Sequence, residues 1–142
     1  MVRTPTDHSG DLVAAGIDAR EVIDLADRTL AEDLDGGIDV TTVATVPPEQ
    51  LSVLDFVSRA NGVVAGLPVA AVVLERAGDV EVTLAATDGD TVEPGRLVLS
   101  AVGPTHSLLT AERSALNLLG HLSGVATATA AWARALAGTT AE

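Results

Sequence analysis

The sequence has no cysteine and no lysine, and its only aromatic residues are Phe56 and Trp132. Without cysteine there can be no disulfide, no thiolate nucleophile and no cysteine-based zinc site, which suits a reducing compartment. Without lysine there can be no Schiff base and no lysine-borne group. Base stacking and sugar platforms need aromatic faces, so nucleic-acid and lectin-like roles are disfavoured. Positive charge is also scarce: 8 arginines face 20 acids, for a formal net charge of −12. Such a chain is repelled by nucleic acid and by anionic membrane surfaces. No apolar run approaches the roughly 18 residues of a membrane span, and the opening MVRTPTDHSGDLVAAG is broken by polar residues in a way signal peptides are not. The expectation is a soluble cytoplasmic protein with neither nucleic acid nor membrane as partner.

What is present is a 142-residue chain, 47% apolar and rich in alanine, valine and leucine. That is one domain's worth of chain, enough to bury a core. Residues 1–17 show no periodicity and read as a loose N-terminal arm. Asp18 is placed to cap a helix carrying Val22, Leu25, Ala26 and Leu30, with Glu21 where a capping box puts it, ending at Gly36-Gly37. From Leu51 the period changes to two, predicting a strand. Asn61-Gly62 is a hairpin signal leading into Val63-Val64-Ala65. Pro68 opens a short helix ending at Gly78, and Val80–Ala86 and Leu97–Val102 read as further strands separated by DGD and EPG turns. Thr105 is placed to cap a helix through Leu122, and Ser123, beside Gly124, to cap a second carrying Val125, Trp132 and Leu136. The expected fold is α+β: a four-stranded antiparallel sheet covered by helices, an open-faced sandwich, ending in two consecutive helices.

Few residues carry obvious chemistry. Asp33, Asp35 and Asp39 crowd around two glycines, an arrangement hard cations favour, but the full calcium-loop pattern with its closing glutamate is missing, and a solvated helix-ending loop accounts for it. His8, His106 and His121 are scattered singly, without ligand-like spacing. Glu112-Arg113 stands out in the apolar helix LLTAERSALNLLGHLSG. At helical periodicity Glu112 shares the stripe of Leu108, Leu109 and Leu116, expected to be the buried one, with Arg113 about 100° away on the flank near Leu109, Asn117 and Gly120. A charge there is either paired in a salt bridge or turned toward a carboxylate or phosphate. DGDTVEPGRLVLSAVGP resembles the hairpin of biotinyl and lipoyl carrier domains, yet their acceptor lysine is absent.

The blocks DGGIDVTTVATVP, SRANGVVAGLPVA, DGDTVEPGRLVLSAVGP, LLTAERSALNLLGHLSGVATATAAW and AGTTA, in that order over residues 18–141, resemble the N-terminal domain of quinolinate phosphoribosyltransferase. The resemblance implies a reaction of NAD biosynthesis. Quinolinate and phosphoribosyl pyrophosphate, with Mg2+, give nicotinate mononucleotide, pyrophosphate and carbon dioxide. It implies a head-to-tail homodimer in which this domain closes the barrel domain of a neighbouring subunit, and it gives Arg113 the role of holding the anionic substrate in that neighbour's site. It divides the chain into the arm, the N-terminal domain at 18–138, and the start of a barrel at 139–142, with the family's C-terminal α/β barrel absent. Thr140 stands where the family usually has its first lysine. The family's catalytic residues and metal ligands fall in the barrel, so the resemblance implies no catalytic residue in this chain and a domain inactive alone. Two other readings compete: the corresponding domain of a related phosphoribosyltransferase, or a non-catalytic module that dimerises through its Ala- and Leu-rich C-terminal helices.

Overall fold

The structure, a computed structural model, describes residues 7–33 and 44–137. Its elements in chain order are α1 (Ser9–Ala14), α2 (Ala19–Asp33), β1 (Leu51–Val57), β2 (Gly62–Val63), α3 (Leu67–Arg76), β3 (Glu81–Leu84), β4 (Thr91–Val92), β5 (Leu97–Pro104) and α4 (Thr105–Leu136). The architecture is α+β, as expected. Two features of the expected fold are corrected. The strands form a three-stranded antiparallel sheet of order β1-β5-β3 and a separate two-stranded ribbon β2-β4. The two expected terminal helices are one helix of 32 residues.

The sheet correction follows from burial. β1 pairs with β5 from Leu51 against Pro104 to Val57 against Leu97. That long register turns Phe56, Leu99 and Ala101 inward and leaves Leu51, Val53 and Val102 exposed on the open face. A hairpin across Asn61-Gly62 would have placed β1 against a strand of only two residues, so the turn instead carries the chain away from the sheet and into the ribbon.

Helices cover the other face. α3 is hydrophobic nearly all round, and Leu67 and Val69–Leu74 are buried, because it lies beneath α2 and beside α4 and touches β3 and β5. A helix apolar on every side needs neighbours on every side. Its first turn has no side-chain cap of its own; Asp88, from the turn before β4, accepts from the backbone N–H groups of Gly66 and Leu67 at 2.9 Å each. Asp18 bonds the Arg20 N–H at 2.9 Å, as expected of the cap of α2.

The segment expected to be a loose arm contains α1, whose Leu12 is fully buried. Sequence periodicity could not show this, since α1 has 6 residues, and its anchor is distant: the His8 side chain bonds Glu75 near the end of α3. The 34–43 segment, with Asp35, Asp39 and Thr41-Thr42, lies outside the described residues, as do the Asp33 side chain and residues 138–142.

Candidate functional site

Arg113 lies on the exposed side of α4. The buried stripe of this helix runs through Leu108, Ala111, Ala115 and Leu119. The stripe expected through Leu109 and Leu116 is displaced from it, and those two leucines are 45% and 43% exposed. Leucine recurs on both faces of LLTAERSALNLL, so spacing alone does not choose between them. Packing chooses the face that presents Ala111, Ser114 and Ala115, whose small side chains let the helix sit close to its neighbours. Leu109 and Leu116 therefore flank Arg113, four residues before it and three after. Glu112 is half-buried. Neither Glu112 nor Arg113 takes part in a salt bridge among the described residues, where Arg76 pairs with Asp27 and His8 contacts Glu75.

Beyond Leu116 the same face of α4 borders an open cleft of about 610 Å³. Its helical wall is Leu116, Gly120, Ser123, Gly124 and Thr127, and its other wall is the connection from β1 to β2, including Ser58, Arg59 and Asn61. Two hydroxyls hold the walls together. Ser123 Oγ accepts from Ala65 N–H at 3.0 Å and donates to the Ala65 carbonyl at 3.2 Å. One turn on, Thr127 Oγ1 accepts from Val63 N–H at 2.9 Å and donates to the Val63 carbonyl at 3.4 Å. Alternate residues of the ribbon edge thus bond a helix in place of another strand. This explains why Ser123 does not cap a second helix: its hydroxyl is committed to Ala65. Gly124 weakens the helix by about 1 kcal/mol, too little to break one so well supported.

The glycines around the cleft divide into two kinds. A Cβ at Gly62 would stand 2.8 Å from Thr127 Oγ1, and one at Gly66 2.4 Å from Leu122 Cδ1, so those two are required by the close approach of the ribbon to α4. Gly120 and Gly124 face open space, with nothing within 4 Å of a Cβ. Nothing within the described residues requires glycine at either position.

The histidines take no part in the cleft. His106 Nε2 bonds the Val46 carbonyl at 2.8 Å, and His121 is exposed. Among the described residues no group of three or more His, Asp or Glu side chains converges to hold a metal ion, and no helix is long and apolar enough to cross a membrane. Sequence spacing singled out Arg113 but not Arg59 or the Ser123 and Thr127 clamps, although all three lie within the blocks that carry the family resemblance.

The pattern of a family described as "Quinolinate phosphoribosyl transferase, N-terminal domain" matches residues 39–123. A nicotinate-nucleotide pyrophosphorylase [carboxylating] of Mycobacterium leprae is 42% identical over 118 residues, which are 81% of this chain and 42% of that protein. A quinolinate phosphoribosyltransferase [decarboxylating] of Nicotiana tabacum is 35% identical over 83% of this chain and 33% of its own length. The crystal structure of NadC from Streptococcus pyogenes superposes with a TM-score of 0.79 at 35% identity, covering 84% of this chain and 42% of that one. The chain thus spans less than half the length of these relatives.

Proposed function

The chain belongs to the quinolinate phosphoribosyltransferase family, at its N-terminal domain, and from that premise we propose that it is the lid and dimerisation domain of an enzyme making nicotinate mononucleotide. In the proposed reaction the ring nitrogen of quinolinate bonds to C1 of the ribosyl phosphate as pyrophosphate leaves, and the 2-carboxylate then departs as carbon dioxide, with a proton taking its place. Mg2+ would travel with phosphoribosyl pyrophosphate. The residues that hold it would belong to a barrel domain, as the family resemblance implies. In this reading Arg113 projects from α4 into a neighbouring subunit's site and holds a carboxylate or phosphate through the planar guanidinium fork.

The observation that carries the reading is the state of Arg113: exposed, without an ion pair among the described residues, and set between exposed Leu109 and Leu116. An arginine so placed can have its charge matched by a ligand and its apolar surround covered by a docking domain. The charge balance supports a shared site. Both substrates are strongly anionic, and several converging cations are needed to offset their desolvation. A chain of net charge −12 without lysine does not supply them.

The test is an assay of the 142-residue chain with both substrates and Mg2+, alone and mixed with a separately produced barrel domain. The reading predicts no turnover alone and turnover on mixing; activity of the chain alone at an ordinary enzyme's rate would refute it.

The assembly-module reading is favoured by one observation. On α4 the row Leu118, Leu122, Val125, Trp132, Leu136 starts half-buried and continues exposed, with Val125 at 55%, Trp132 at 72% and Leu136 at 53%. Such a seam fits a docking partner. A stable dimer of this chain that ignores an added barrel domain would select that reading.

A further inference from the structure

We infer that Arg59 is a second anion-holding residue for the same substrates, facing the cleft that Arg113 overlooks; the inference rests on the reading of this domain as a contributor to a phosphoribosyltransferase site. The cleft between α4 and the β1–β2 connection is lined by no aspartate or glutamate, in a chain that has 20 of them. Its one charged lining residue is Arg59. Acid-free surface in so acidic a chain is where an anion meets least repulsion.

The arginines of the described residues separate into two groups. Arg28, Arg76, Arg96 and Arg134 are engaged, by the Asp24 carbonyl, the Asp27 carboxylate, the Ala85 carbonyl and the Ala130 carbonyl. The side chains of Arg20, Arg59 and Arg113 have no partner among the described residues. Arg20, at the start of α2, is outside the cleft lining, whereas Arg59 lines it and Arg113 stands one turn before Leu116, where the helical wall begins. Seven residues separate Arg113 from Gly120 in that wall, about 10 Å of helix rise. Asn61, beside Arg59 in the same lining, adds an amide donor. Two uncommitted guanidinium groups beside one acid-free cleft suit a ligand with separated anionic groups, such as the 5-phosphate and pyrophosphate of phosphoribosyl pyrophosphate, and Arg59 alone suits one carboxylate of a pyridine dicarboxylate.

The test uses the chain mixed with a barrel domain and compares Arg59→Ala, Arg59→Lys and Arg113→Ala, with Arg20→Ala as control. Losing one charge-assisted bond predicts that Arg59→Ala raises the KM of one substrate about tenfold or more. Arg59→Lys should recover part of that loss, and Arg20→Ala should leave both constants unchanged. Whether KM rises for quinolinate or for phosphoribosyl pyrophosphate tells whether Arg59 holds a carboxylate or a phosphate. If Arg113→Ala impairs the mixture but Arg59→Ala leaves both KM values within twofold, the inference falls and the functional reading stands. If the unmodified mixture shows no turnover, that reading falls and this inference with it.

Discussion

Alanine in place of Gly120 should make the isolated chain more stable. Gly120 is an interior residue of α4, where glycine costs about 0.5–1 kcal/mol relative to alanine through backbone entropy. A Cβ at this position meets nothing within 4 Å, so no steric penalty offsets the gain, and a stabilisation of about 0.5–1 kcal/mol is expected. The same substitution at two other glycines should do the opposite. Gly89 has φ +99° with nothing within 4 Å of a Cβ, leaving only the left-handed backbone penalty, about 1–2 kcal/mol. Gly66 has φ +91° and its Cβ would lie 2.4 Å from Leu122 Cδ1 and 3.2 Å from Leu122 Cβ. To the backbone penalty it adds displacement of a packed leucine, for a total of about 2–5 kcal/mol. Urea unfolding followed by far-ultraviolet circular dichroism is the assay, because exposed Trp132 makes fluorescence a poor reporter. The reasoning is refuted if Gly120→Ala destabilises the chain, or if Gly66→Ala is no more damaging than Gly89→Ala.

Thr127→Val should cost about 1–2 kcal/mol, since it leaves the half-buried Val63 N–H without its acceptor. Ser123→Ala should act likewise through Ala65, and hydrogen exchange should quicken at the matching amide in each variant. Burial raises the Glu75 carboxyl above its ordinary 4.5, with the hydrogen bonds from His8 opposing the shift. A raised carboxyl contributes stability that is full below about pH 4.5 and is lost as pH rises through its folded value. Glu75→Gln, which titrates nowhere in this range, should therefore gain stability relative to the parent between pH 4 and pH 7; a pH-independent difference in urea midpoints would contradict the assignment. Leu12→Ala should speed amide exchange throughout α1 while leaving β5 protected, since α1 is held by one buried leucine and the His8–Glu75 contact.

Much of the fold was legible because burial imposes a period. Alternation in LSVLDFV marks β1, and Pro68 with the apolar run after it marks α3. What the sequence hid was the partnering. Asn61-Gly62 is a strong local hairpin signal, yet β1 finds β5 some forty residues on, because the long register buries Phe56 and a two-residue strand cannot. Ser123-Gly124 imitates a helix break, and only the distant Ala65 backbone shows where the serine hydroxyl goes. Arg113 is conspicuous as a charge in an apolar helix and falls on the flank that helical spacing gives it, but its role comes from the family resemblance; it is the buried stripe that differs, passing through Ala111 and Ala115 and leaving Leu109 and Leu116 exposed. Arg59 gave no signal, because a lone arginine in a loop is ordinary until the cleft around it is seen to hold no acid.

The most direct test is the kcat/KM for quinolinate in the mixture of this chain with a barrel domain, measured with Arg113 intact and as Arg113→Ala. If Arg113 holds the substrate's anionic group across the subunit boundary, the substitution loses at least about 1.4 kcal/mol of transition-state binding, a tenfold fall or more in kcat/KM. An unchanged kcat/KM in a fully assembled mixture would contradict the account.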